Sequence, residues 1–569
     1  MEKQQKRYAG WICFTIMAIY FAIIFCSVPV VYGINDDTTM RDIAAGAITG
    51  TPDGHLIFVK YALGKLLSII YSVLPGMDWY ALIWLGLIIF CYILIIYRIH
   101  SMCIRKNVNP YLETLGYLLL FTLVFLKHFA EFQFTTVAAV IAGTAIYIYY
   151  TVDPTEKTSI RIRDYILVLI LMWLTYCIRS SVFMMALPFG GILFLFKRGL
   201  CLKEKIGILL IALIGLGAVI FIENEAYDSQ EWRNYKEFNE ARSVVYDYYG
   251  VPNYIENKEF YDSIGMKECD VINLERYNLY FVEEIENGKM VQVAQYAQKQ
   301  WENSHTFLQR VKNGLKLTLK GFLAEDNLLL NFLAKLLLFY NIIRAWKKKQ
   351  KEIFLSVSIL LIEGILWIYL GYEGRLPDRV GAGLLLIELI CSLAVWYQGS
   401  KEADDFKFLA HKMFKLCVWG VAVGLSVVKF ISVRTEEIQF VENNRQMEEA
   451  NAFFEKNREN VYFYPVSFTA GYTEEVKIIR DFSVSNGFTM GGWLTFSPLR
   501  KESLGYFGIN EVDKALLERD NIYLIMAHPS SRIDQYYEKK NIEIEWEEKD
   551  KAPIFYIELP VWKISEKEK

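Results

Sequence analysis

Apolar runs of bilayer length recur along this chain between short polar stretches. They fall at about Gly10–Val31, Trp79–Tyr97, Leu112–Leu126, Thr135–Tyr150, Asp164–Ile178, Val182–Phe196, Ile206–Ile222, Leu328–Ile343, Ile353–Leu370, Val380–Tyr397 and Phe414–Ile431. A hydrocarbon core needs roughly twenty apolar helical residues to cross, so each run predicts a span, about eleven in all. Leu328–Ile343 is the least regular, because Asn331, Lys335 and Asn341 interrupt it. The pattern changes in two places. Glu223–Asn327 is far longer than an ordinary connection and rich in aromatics and carboxylates. Within it Trp232, Tyr235 and Phe238 recur at helical spacing, which predicts a helix packed on the membrane domain. Ser432–Lys569 alternates β-rich segments (Val461–Tyr464, Ile522–Met526, Ile554–Ile557) with helical ones (Asp513–Glu518, Ser531–Lys540), predicting a small α/β domain. The expected fold is therefore an α-helical polytopic membrane domain, 1–431, followed by an α/β domain, 432–569.

Charge orients these spans. Arg98/Arg105/Lys106, Lys157/Arg161/Arg163, Lys197/Arg198/Lys203/Lys205 and Arg344/Lys347/Lys348/Lys349/Lys351 all fall on the side of the N-terminus. That side is expected to be cytoplasmic. An odd number of crossings then places the C-terminus outside, in a multi-pass protein of the cell membrane. Met1–Arg7 is basic and precedes a run too long for a signal-peptide core, so it reads as an uncleaved anchor. His55–Leu74 is nearly a span long, but Lys60 and Lys65 fall in its middle. If it crossed, the basic loop after it would land outside, so an amphipathic helix in the interface is expected instead. Residues 32–78 then form a juxtamembrane loop broken by the Pro52-Asp53-Gly54 turn. A hydrophobic share of 54% and an aromatic share of 15% fit this class, and a net charge of −3 without a basic block leaves no footprint for nucleic acid. Nine cysteines are scattered and six histidines do not cluster, so neither a disulfide framework nor a zinc site is expected.

The first ionisable groups after the first span are adjacent carboxylates, Asp36 and Asp37. Carboxylates at the mouth of an apolar bundle have adjustable pKa values, which suits a base that deprotonates an acceptor beside a lipid-borne substrate. The competing reading is that Asp37 or Thr38 caps a helix Thr39–Ala45. Cations on the outer rim run against the charge bias. They are Lys127, Arg179 after the fifth span, and Arg375 and Arg379 before the tenth. An arginine fork matches a phosphate, so these are candidate phosphate or donor ligands. Alternatively Arg375 and Arg379 pair with Glu373, Asp378 or a carboxylate of the 223–327 loop. His55, Gln133 and Arg242 are candidates for substrate contact. No Gly-rich phosphate loop, nucleophile elbow or kinase signature occurs.

A carboxylate pair after the first span, a two-helix juxtamembrane loop, many spans and a C-terminal domain together resemble the GT-C glycosyltransferases. More locally, Asn35–Asp37 with Gly46 and Thr49–Pro52, Gln133–Thr136, and Gly374–Val380 resemble motifs of bacterial cell-surface-polysaccharide membrane proteins. The resemblance covers Met1–Ile431. It implies sugar transfer from a polyprenyl-phosphate carrier to a cell-envelope glycan or lipid on the outer face, inverting in stereochemistry. It also implies Asp36 or Asp37 as base or metal-binding residue, since that family has metal-dependent and metal-independent members. An oligosaccharyltransferase-type Trp-Trp-Asp motif is missing, which argues against a peptide acceptor. An O-antigen-type polymerase or ligase is an alternative. A transporter or a scaffold of polysaccharide export is another, although charges at the rim rather than the midplane disfavour transport.

Overall fold

The computed structural model describes residues 2–348, 352–401, 412–468, 473–554 and 557–567. The chain opens with α1 (Glu2–Ser27), a two-residue strand β1 (Val31–Tyr32), and two short helices, α2 (Asn35–Ala45) and α3 (Tyr61–Val73). Then come α4 (Trp79–Arg105) and a rod made of α5 (Pro110–Leu120), a π turn at Phe121–Phe125 and α6 (Leu126–Ala130). Strand β2 (Glu131–Phe132) pairs parallel with β1. Helices α7 (Phe134–Thr151), α8 (Thr158–Ile178), α9 (Ser180–Phe196) and α10 (Leu202–Ala226) follow. The 223–327 segment folds into α11 (Gln230–Ser243), α12 (Lys258–Ser263), α13 (Glu268–Glu275), α14 (Met290–Ser304) and α15 (Phe307–Phe322). Four long helices complete this part: α16 (Glu325–Lys347), α17 (Glu352–Tyr372), α18 (Asp378–Lys401) and α19 (Lys412–Lys456).

Among the described residues eight helices are long and apolar enough to cross a membrane, which is compatible with a multi-pass membrane protein. They coincide with eight of the eleven expected runs. The other three runs are helical too, each with a local departure from the expected pattern. The first stops at Ser27, because Pro29 follows and Val31 is already paired in a strand. In α8 the first turns carry Arg161, Arg163 and Asp164, with Asp164 held by Arg98 at 2.5 Å. The third, α9, has 17 residues with Pro188 inside. The irregular run in α16 is explained by its partners. Asn341 donates to the Ser392 carbonyl at 2.8 Å, Asn331 to the Phe322 carbonyl at 3.3 Å, and Lys335 meets two glutamates. Of the basic loop after α16, Lys349 and Lys351 lie outside the described residues.

Helix α7 is the hub, buried along nearly its whole length against α4, α8, α9 and α18. Its Ala138, Ala139, Ala142, Gly143 and Ala145 let neighbours approach closely. A Cβ at Gly143 would come to 3.0 Å from Ile390 of α18. Helix α3 has 13 residues, buries Leu63, Leu67 and Tyr71, and leaves Leu66, Ile69 and Val73 exposed, as an interfacial helix should. Lys60 is not inside it but at its N-cap, 3.2 Å from Glu223.

Beyond α19 the chain forms a five-stranded sheet with strand order β4-β3-β5-β7-β6. The strands are β3 (Val461–Tyr464), β4 (Gly487–Thr489), β5 (Ile522–Ile525), β6 (Ile544–Ile554) and β7 (Ile557–Glu566). Helices α20 (Pro498–Tyr506), α21 (Val512–Glu518) and α22 (Ser531–Lys539) flank it. Two expectations change here. The stretch Ile554–Ile557 is not one strand, since β6 runs up to Ile554 and β7 starts from Ile557 in antiparallel pairing. Phe555 and Tyr556 lie outside the described residues. The boundary expected at 431/432 falls inside α19, which runs unbroken through it.

Candidate functional site

Helix α2 starts at Asn35, with the extended Ile34 before it making no side-chain cap. It ends at Gly46, whose φ of +87° is left-handed, with the Gly46 N–H returned to the Ile43 carbonyl at 3.1 Å. The expected cap at Asp37 or Thr38 is therefore absent, because the helix begins four residues before Thr39. Both carboxylates lie in its first turn, where they complement the positive end of the helix dipole.

The two then diverge. Asp37 is fully buried and accepts from the Tyr80 hydroxyl at 2.6 Å and the Phe134 N–H at 3.3 Å. Burial pushes its carboxyl well above the usual carboxylate range, and the neighbouring Asp36 charge adds to this. Asp36 is half-buried and accepts the Trp493 indole N–H at 2.9 Å. Burial raises its pKa too, opposed by Arg379, the Trp493 hydrogen bond, Arg179 and Arg242.

Those arginines come from separate parts of the chain. Arg179 lies between α8 and α9, packed over the rings of Phe134 (5.0 Å to the centroid) and Phe58 (5.6 Å). Its Nε–H is buried with no hydrogen-bond partner among the described residues. Burial and the nearby Arg379 push its guanidinium down from its ordinary value. Arg242, in the last turn of α11, is buried and donates to the Tyr277 hydroxyl at 2.6 Å and to Asn239 at 2.8 Å. Arg379 stands in the first turn of α18, and the carboxylate acting on it most strongly is Asp36. Arg375 pairs with Asp247 at 2.9 Å, a carboxylate of the 223–327 segment, as one of the two sequence readings anticipated. Arg379, Arg179 and Arg242 thus bear electrostatically on Asp36, more cations than that one carboxylate balances, while Arg375 is paired with Asp247.

Other candidates lie elsewhere. Lys127 is surrounded by Glu131 (2.7 Å), Glu436 (3.0 Å) and Glu437 (3.1 Å), beside a 550 Å³ cavity between α6 and α19. His55 turns Nδ1 to Asp53 at 2.7 Å and Nε2 to the Ala226 carbonyl at 3.1 Å, and stacks on Trp232 at 4.7 Å. Its contacts pin the 52–55 turn to the α10–α11 junction. Gln133 is buried at the N-cap of α7, next to the Phe134 amide that Asp37 accepts.

Trp493 escaped the sequence reading, and so did the segment that delivers it. Residues 473–497, between β3 and α20, return to the juxtamembrane loop. The Tyr32 N–H donates to the Glu474 carbonyl, Val476 to Val30, Asp78 to Ile478 and Arg480 to Gly76, all at 2.8–3.1 Å. Beneath this strap the fully buried Arg41 donates to Asp42 at 2.8 Å and to Glu474 at 2.9 Å, and Arg480 also pairs with Glu474. The available signal was Gly491-Gly492-Trp493. A Cβ at Gly491 would come to 2.1 Å from the Tyr277 carbonyl, and Gly492 has φ +109°. Only glycines permit that turn and the approach that follows it.

The two aspartates do not fit a metal site. Their oxygens accept from N–H and O–H donors, and no three His, Cys, Asp or Glu side chains gather to hold an ion among the described residues. Comparison with known proteins finds no matching family model, no matching curated protein and no matching solved structure.

Proposed function

We propose that this protein is a membrane glycosyltransferase of the GT-C type, moving a sugar from a polyprenyl-phosphate carrier to a cell-envelope glycan or lipid on the outer face. This reading includes eleven crossings, a cytoplasmic N-terminus and an outer C-terminal domain. The observation that carries it is the set of arginines, 179, 242 and 379, around the half-buried Asp36, with the orphaned Nε–H of Arg179 among them. A partly buried cationic surplus beside one carboxylate of raised pKa is what a base and a departing phosphate together require.

In this scheme Asp36 takes the proton of an acceptor hydroxyl, and that oxygen attacks the anomeric carbon. The bond from that carbon to the phosphate oxygen breaks, and Arg179 and Arg379 hold the departing polyprenyl phosphate. Asp37, tied to Tyr80 and Phe134, positions α2 rather than touching substrate. Radiolabelled polyprenyl-phosphate sugars supplied to membranes carrying the wild-type protein should label an acceptor. Asp36→Asn should abolish the label at normal expression, since Asn keeps the Trp493 acceptor but cannot take a proton. Full transfer by Asp36→Asn would overturn the assignment.

A further inference from the structure

Three ionisable side chains meet far from Asp36, in the interior of the long helices. Lys335 of α16, Glu363 of α17 and Glu388 of α18 each stand within two residues of the midpoint of their helix. The Lys335 ammonium is 2.8 Å from Glu363 and 2.6 Å from Glu388. Glu363 also accepts the Trp367 indole N–H at 2.8 Å. Glu388 is fully buried, and its second oxygen has no hydrogen-bond partner among the described residues. The other elements packed on α18 bring no opposing charge. Helices α7 and α9 contain no Asp, Glu, Lys, Arg or His, and α15 keeps Lys312, Lys316 and Lys320 exposed, while its half-buried Arg310 lies over the Trp301 and Tyr372 rings. The nearest further titratable group on α18 is Cys391.

One ammonium cannot neutralise two carboxylates. With both ionised, a net negative charge would sit in an apolar interior, where an uncompensated ion is strongly disfavoured. A single proton removes that charge and still leaves Lys335 one anionic partner. We propose that Lys335, Glu363 and Glu388 form a proton-binding site at the middle of the membrane, holding one proton on Glu388 while the three helices are packed. The ligand is a proton drawn from bulk water, and the site is independent of the transfer chemistry assigned to Asp36. Arg379 lies on the same helix, nine positions before Glu388.

The test counts protonated carboxyls by infrared spectroscopy, through the carbonyl stretch that shifts in deuterated buffer. The full-length protein is held in a maltoside detergent, which has no ester carbonyl. Bands are read as differences from wild type, because other buried carboxyls such as Asp37 contribute their own. At neutral pH, Glu388→Gln should lose one carboxyl band. Glu363→Gln should lose it as well, since Lys335 then neutralises the single remaining carboxylate and no proton is needed. Lys335→Met should gain one band, both glutamates now being protonated. Losing the band in Glu388→Gln but not in Glu363→Gln, or in neither, overturns the proposal. The two glutamine variants decide it even if Lys335→Met fails to fold.

Discussion

Replacing Glu474 by glutamine tests whether the 473–497 strap is held to the juxtamembrane loop by charge. The Glu474 carboxyl, although partly buried, is lowered from 4.5 to about 2 by Arg41 and Arg480. At about 1.4 kcal/mol per unit, roughly 3 kcal/mol of native-state stability is tied to its ionisation. Because the folded value is depressed, that contribution is complete above about 4.5 and is lost as pH falls toward 2. Glutamine keeps an acceptor for Arg41, and Asp42 remains at 2.8 Å, so Arg41 is not stripped bare. Removing Glu474 also relieves Asp42, whose carboxyl burial and the Glu474 charge push up. The Glu474 side chain is 24% exposed, which screens the pair further. A local cost of about 1.4–2.8 kcal/mol is expected, below the cost of a buried ion left alone. It should appear as ~10- to 100-fold faster hydrogen exchange at the amides of Tyr32, Val476, Asp78 and Arg480, which close the strap. The gap between variant and wild type should be full at pH 7 and shrink below pH 4.5. Equal exchange at neutral pH, or a gap that persists unchanged at low pH, would show that the strap is held by its backbone bonds and packing alone.

Three further outcomes are expected. If Asp36 is the base, kcat/KM falls on the acid side with an apparent pKa above 3.8, and Arg379→Ala moves that limb to higher pH because it removes the strongest cation opposing the shift. Asp37→Asn should change the thermal midpoint in detergent little, since an amide oxygen in the place of Oδ1 still accepts from both the Tyr80 hydroxyl and the Phe134 N–H, whereas Asp37→Ala, which strips both donors of their acceptor, should lower it by an amount corresponding to about 1–3 kcal/mol. Gly64→Ala should destabilise the juxtamembrane loop despite the better helix propensity, because its Cβ would stand 2.1 Å from the Gly54 carbonyl oxygen; faster proteolysis at 52–60 reads it out.

What the sequence revealed and what it hid follow from the range of the interactions. Spans are a property of composition over about twenty residues, so eight long helices were legible run by run. Lys335 looked like an isolated flaw in a span, and Glu363 and Glu388 drew no notice, because their partners sit on other helices. Lys127 and Arg179 carried the same signal, a cation on the wrong side, yet one is neutralised by three glutamates and the other keeps a free donor beside Asp36. Trp493 is 457 positions from the carboxylate it contacts, and no local pattern spans that distance. The aspartate pair is the instructive case. Successive residues on a helix point about 100° apart, so adjacent carboxylates inside one meet different neighbours. The capping alternative read from the sequence began the helix at Thr39 and put both aspartates at or before its cap. Once α2 starts at Asn35, its turn sends Asp37 inward to Tyr80 and Asp36 toward the arginines. The division of labour between them is therefore set by where that helix begins.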